Sequence, residues 1–125
     1  VLIVDDDPDI RFLFTESLVR AGHEVVGVAV DGEDALAKAA LLARDIDLIL
    51  LDVLMPVMDG IAALPKLRAI VPTTTKIVFV TALLGNNLVA QQNSLGLIGE
   101  ENGPDGILFK TRLLKSADVL SEFLD

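Results

Sequence analysis

Residues 47–60, DLILLDVLMPVMDG, limit what this chain can fold into more than any other stretch. Leu48, Ile49, Leu50 and Leu51 form an unbroken apolar run, the pattern of a strand buried on both faces. Asp52 ends the run. Met55-Pro56 and Asp59-Gly60 then turn the chain before the next apolar-periodic segment. A carboxylate at the end of a buried parallel strand stands where open α/β sheets collect ligands. Taken alone, Asp52 reads as an ordinary turn residue. The rest of the chain repeats the arrangement, and that shifts the weight.

Residues 1–4 are apolar and lead into Asp5, Asp6 and Asp7. Asp7 reads as an N-cap with Pro8 at the first helical position, and Gly22 as the residue that closes the helix. Residues 24–30 are Val-rich and strand-like, and Asp31-Gly32 turns them into an Ala/Leu-rich helix over 33–43. Residues 61–71 suit a helix, but Pro65 inside it predicts a late start or a kink. KIVFVT, residues 76–81, reads as the next buried strand. A weaker helix is predicted over 83–95 and a Gly-rich loop over 96–106. A short strand over 107–109 ends at Lys110, and a final helix spans 112–124. Strands alternating with helices give a (βα)₅ chain: a parallel sheet covered on both faces, with right-handed crossovers.

Four strand ends carry polar groups: Asp5 and Asp6, then Asp52, Thr81 and Lys110. In a parallel sheet these ends share one edge and can converge. Carboxylates without Cys or a nearby His make a hard, all-oxygen site, suited to Mg²⁺ rather than Zn²⁺. An Asp carboxylate is a competent nucleophile towards phosphorus. A divalent cation and a Lys ammonium can neutralise charge on a transferring phosphoryl group, and a Thr hydroxyl can donate to it. Each residue also has a plainer reading. Asp7 caps a helix, Asp31 and Asp59 make turns, Thr81 fills a strand, and Lys110 and His23 are solvated. Only the joint pattern is specific.

The chain's 125 residues suit one domain, and 52% hydrophobic content suffices for a full core. A net charge of −9 argues against a nucleic-acid surface. The absence of cysteine excludes disulfides, thiol nucleophiles and thiolate metal sites, which suits the cytoplasm. No apolar run approaches a membrane span. The chain begins on Val1, as a piece trimmed from something longer would.

VLIVDDDPDI, DLILLDVLMPVMDG, FVTA and the late Lys together resemble the receiver domain of two-component response regulators. The resemblance spans essentially residues 1–125 as a single receiver domain. It implies a flavodoxin-like, doubly wound parallel sheet of five strands in the order 2-1-3-4-5. Asp52 resembles the phospho-acceptor. Asp6 and the backbone carbonyl of Leu54 resemble ligands that join Asp52 around Mg²⁺, with Asp5 a ligand directly or through water and Mn²⁺ as a substitute. Thr81 resembles the switch hydroxyl and Lys110 the phosphate-pairing cation. The implied donor is a phosphohistidine on a sensor histidine kinase or a histidine phosphotransfer protein. The implied chemistry is self-catalysed transfer to Asp52, with no independent turnover. A homodimer through the final helix–strand–helix face is a further implied option, with no partner in nucleic acid or membrane.

Three features depart from that family. Thr111 stands where Pro usually follows the Lys, so a cis Lys–Pro peptide is impossible. Ile107 stands where an aromatic is expected. The segment between Thr81 and Lys110 is long and rich in Gly and Asn. All three lie on the half that reads out phosphorylation. The alternative expectation is therefore a receiver-fold protein–protein interaction module with weak or no phosphorylation-dependent switching. An aspartyl-phosphate phosphohydrolase is disfavoured, since the second acid it needs would stand at Leu54.

Overall fold

A computed structural model describes residues 1–82 and 103–124. Five parallel strands form one sheet: β1 (Leu2–Val4), β2 (Gly27–Ala29), β3 (Leu48–Asp52), β4 (Lys76–Thr81) and β5 (Gly106–Phe109), in the order β2-β1-β3-β4-β5. The flavodoxin-like order expected from the sequence is the order found. Around the sheet lie α1 (Pro8–Arg20), α2 (Gly32–Leu42), α3 (Gly60–Ile70) and α4 (Lys110–Lys115), with 3₁₀ turns at Ala43–Asp45 and Ala117–Glu122. The helix predicted over 83–95, most of the loop over 96–106 and one helix of the implied dimer face lie outside the described residues. Among the described residues no helix is long and apolar enough to cross a membrane.

Strand alternation sorts the core into two layers. Leu2, Val4, Ile49, Leu51, Ile77 and Phe79 face α2 and α3, packing on Ala35, Ala39, Ala63, Leu64 and Leu67. Ile3, Leu48, Leu50, Val78 and Val80 face α1 and α4, packing on Phe14, Leu18 and Leu113. Every residue of β3 is buried. The apolar run 48–51 is explained by that position at the centre of the sheet.

Three helices start on Asp caps. Asp7 accepts from the Asp9 amide, Asp31 from Asp34 and Asp59 from Ala62, at 2.9, 2.8 and 2.8 Å. Gly22, at φ +91°, closes α1 as expected. The Gly22 amide donates to Val19 and the His23 amide to Leu18, a Schellman pair.

Three sequence expectations need correction. β2 covers Gly27–Ala29 rather than 24–30, because it is an edge strand whose one partner among the described residues, β1, pairs over three residues. α3 starts at Gly60 and continues through Pro65, so of the two expected outcomes, a late start or a kink, the late start does not occur. Pro65 is on the exposed side, where water can satisfy the carbonyl that loses its donor. The final helix expected over 112–124 is two pieces. α4 opens directly on Lys110, and Ser116 is extended (φ −161°, ψ 127°). The Ser116 hydroxyl accepts from the Asp118 amide at 3.2 Å and so caps the 3₁₀ turn that follows.

Candidate functional site

The loop after β3 is pinned on both sides of the sheet edge. The Gly60 amide donates to the Val53 carbonyl at 2.8 Å, and the Gly32 amide to the Met58 carbonyl at 3.0 Å. A Cβ at Gly60 would fall 2.3 Å from the Asp52 carbonyl oxygen, so only glycine lets α3 begin this close to the end of β3. The Asp-Gly pairs that read as turns in sequence thus join the β3 loop to the starts of α2 and α3.

Asp5 and Asp52 end neighbouring strands and are 1% and 5% exposed, while Asp6 is open to solvent. One carboxylate oxygen from each of the three lies within 4.8 Å of the others. Lys110 reaches the same point from the start of α4. Its Nζ lies 2.8 Å from Asp5 Oδ2 and 3.3 Å from Asp52 Oδ2. The contact with Asp52 is a hydrogen bond. The contact with Asp5 is a close ion pair, and among the described residues the Lys110 ammonium is the one partner of buried Asp5 Oδ2. Asp5 Oδ1 accepts from the Asp7 amide at 2.9 Å.

Burial pushes the Asp52 carboxyl up to about 7, and the charge of Asp5 adds to it; Lys110 pulls the other way. Burial also works against the Lys110 charge, but Asp5 and Asp52 outweigh it and hold the ammonium above the usual lysine range. The site therefore carries more negative charge than its one lysine balances. Three clustered carboxylates, one oxygen of them buried with only the Lys110 ammonium beside it, fit a hard divalent cation.

The structure thus brings Asp5, Asp6, Asp52 and Lys110 together. Thr81 is buried at the end of β4, one residue beyond Val80, which pairs with Asp52. Its hydroxyl donates to the Ala82 carbonyl at a long 3.5 Å. Leu54 is two residues past β3 with its side chain 42% exposed. The Lys110–Thr111 peptide is trans, in keeping with Thr111. Ile107, at the position where the aromatic was expected, packs against the core layer under α2 and α3.

Sequence reasoning passes over Arg11, whose Nη1 donates to the Asp5 carbonyl at 2.8 Å. The available signal was a single cation one turn into a helix that opens on acids.

Comparison with known proteins bears on this arrangement. A sequence model described as "Response regulator receiver domain" matches residues 1–99. The chain is 47% identical to protein-glutamate methylesterase/protein-glutamine glutaminase 2 of Caulobacter vibrioides over 72 residues, covering 58% of this chain and 20% of that protein. It is 36% identical to chemotaxis protein CheY of Treponema pallidum over 96 residues, covering 77% of this chain and 66% of that one. Its fold is similar to a chain of the CheX-CheY-BeF3-Mg+2 complex from Borrelia burgdorferi, with a TM-score of 0.75 and 26% identity, covering 99% and 88% of the two chains. The match thus spans a fifth of the methylesterase and just under two thirds of the first CheY.

Proposed function

The chain belongs to the response regulator receiver domain family, and from that premise we propose that it is a phosphoacceptor signalling domain, with Asp52 as the residue that takes the phosphoryl group. The observation that carries this reading is the placement of Lys110 Nζ between the buried carboxylates of Asp5 and Asp52, beside Asp6. Receiver domains of response regulators interact with histidine kinases and output domains. The donor in this reading is a phosphohistidine on such a kinase or on a phosphotransfer protein. The domain works in the cytoplasm.

An Asp52 carboxylate oxygen attacks phosphorus in line with the bond to the leaving group. One P–O bond forms on Asp52 as the P–N bond to the donor imidazole breaks, its electron pair staying on that nitrogen. Lys110 leaves the Asp52 carboxylate and pairs with a phosphoryl oxygen. The Thr81 hydroxyl exchanges its long bond to Ala82 for one to the phosphoryl group. Asp5, Asp6, Asp52 and the Leu54 carbonyl would hold Mg²⁺, with Mn²⁺ as a substitute; once bound, the ion neutralises charge on the phosphoryl oxygens. The Borrelia neighbour, whose complex is described with BeF3 and Mg²⁺, supports that choice of ion.

The test is intact mass after incubation with acetyl phosphate and Mg²⁺. A gain of one phosphoryl group is expected in the parent, and none in Asp52→Asn. A parent that gains nothing would leave the interaction-module reading in its place.

A further inference from the structure

Arg11 is half-buried one turn into α1, and helix formation alone does not require it there. Its Nη1 donates to the Asp5 carbonyl at 2.8 Å, across six residues. That carbonyl lies where the chain leaves β1. The Asp5 amide donates to the Ala29 carbonyl at 3.0 Å, and the Asp5 side chain accepts from the Asp7 amide at 2.9 Å. Asp5 is therefore held at its amide, its carbonyl and one carboxylate oxygen. The other oxygen, Oδ2, is turned towards the Lys110 ammonium at 2.8 Å and, among the described residues, has no other partner. Of these three holds, only the Arg11 bond comes from a side chain, so only it can be removed by a substitution elsewhere in the chain.

The geometry points to Arg11 as a positioning residue for the cation site: its bond to the Asp5 carbonyl sets the Asp5–Asp6 turn in cation-binding form before the cation arrives. The inference rests on the Asp5–Asp6–Asp52 site of the reading above. A competing role has the opposite sign. As a positive charge near that site, Arg11 repels a divalent cation, and its removal would tighten binding. As a positioning group it improves binding, and its removal weakens it.

The experiment titrates Mg²⁺ into the parent and Arg11→Met by calorimetry, at a temperature where both are folded by circular dichroism. The Met variant should need roughly tenfold more Mg²⁺ at the midpoint, the lower end of what losing such a supporting contact costs. At saturating Mg²⁺ its rate of phosphoryl uptake from acetyl phosphate should match the parent's, because the filled site is the same; an unchanged circular dichroism melt in chelator separates this from a merely weakened fold. An unchanged or lower midpoint overturns the inference. If Arg11→Met does not fold, the guanidinium N–H signals of the parent decide in Mg²⁺-free buffer. Slow exchange with solvent supports a preformed bond, and rapid averaging overturns it. A parent that neither binds Mg²⁺ nor takes up phosphoryl overturns both readings. A parent that does both, with a Met variant at the parent's midpoint, overturns this one alone.

Discussion

Val57 is, among the described residues, the one non-glycine with positive φ, at +69°. The Met58 amide donates to the Pro56 carbonyl at 2.7 Å, closing a γ-turn around it. A β-branched residue is poorly suited to this backbone region. The loop is held there from outside, by the Gly32 and Gly60 amides on the carbonyls of Met58 and Val53. The Val57 side chain is 76% exposed, so little packing is lost on removing it. A positive-φ backbone of this kind costs on the order of 1–3 kcal/mol for a non-glycine residue. Glycine removes that cost but adds up to about 1 kcal/mol of unfolded-chain entropy. Val57→Gly should therefore stabilise the fold by on the order of 1 kcal/mol, read as a higher urea midpoint at unchanged slope. A lower midpoint would mean the valine side chain itself holds the loop.

At the scale of elements, α3 keeps a proline in its interior because its buried stripe, Ala63, Leu64 and Leu67, outweighs the local penalty. Pro65 forfeits one helical bond, a cost of about 3 kcal/mol in a helix interior. Its stiffness returns roughly 1 kcal/mol through the unfolded chain. Pro65→Ala should thus stabilise by about 2 kcal/mol, measured by denaturant unfolding. A change near zero would show that the helix has already bent to relieve the clash. The end of the chain shows the opposite balance. Ser116 breaks the last helix, yet Ala117 and Leu120 beyond the break still reach the core beside α1.

At the scale of the whole molecule, stability is tied to the ionisation of Asp52. Burial raises its carboxyl to about 7 in the folded state, from an ordinary aspartate value of about 3.9. Between those values the folded state binds more protons than the unfolded one, so stability falls as pH rises through that window and levels off above it. The loss is on the order of a few kcal/mol. Melting followed by circular dichroism in chelator should show this decline, and Asp52→Asn should flatten it. Millimolar Mg²⁺, binding only the folded state, should recover stability most strongly above pH 7. Melting temperatures that ignore both pH across this window and Mg²⁺ would contradict the cation assignment.

The sequence by itself determined the alternation of strand and helix, the burial of β3 and the acids placed at strand ends. Those follow from local physics: side-chain periodicity, Asp caps, and Gly or Pro at turns. Asp7, Asp31, Asp59 and Gly22 could be read this way because each acts within a few residues of itself. Tertiary structure decided what depends on a distant partner. The length of β2 is set by β1. The continuity of α3 through Pro65 is set by a buried face that hydropathy alone does not weigh against the lost bond. The pairing of Lys110 with Asp52 crosses 58 residues and its pairing with Asp5 crosses more, and local patterning could put these residues only on the same edge. Arg11 left only a faint trace in the sequence, a lone cation early in α1, because its partner is a backbone carbonyl, and carbonyls carry no letter of their own.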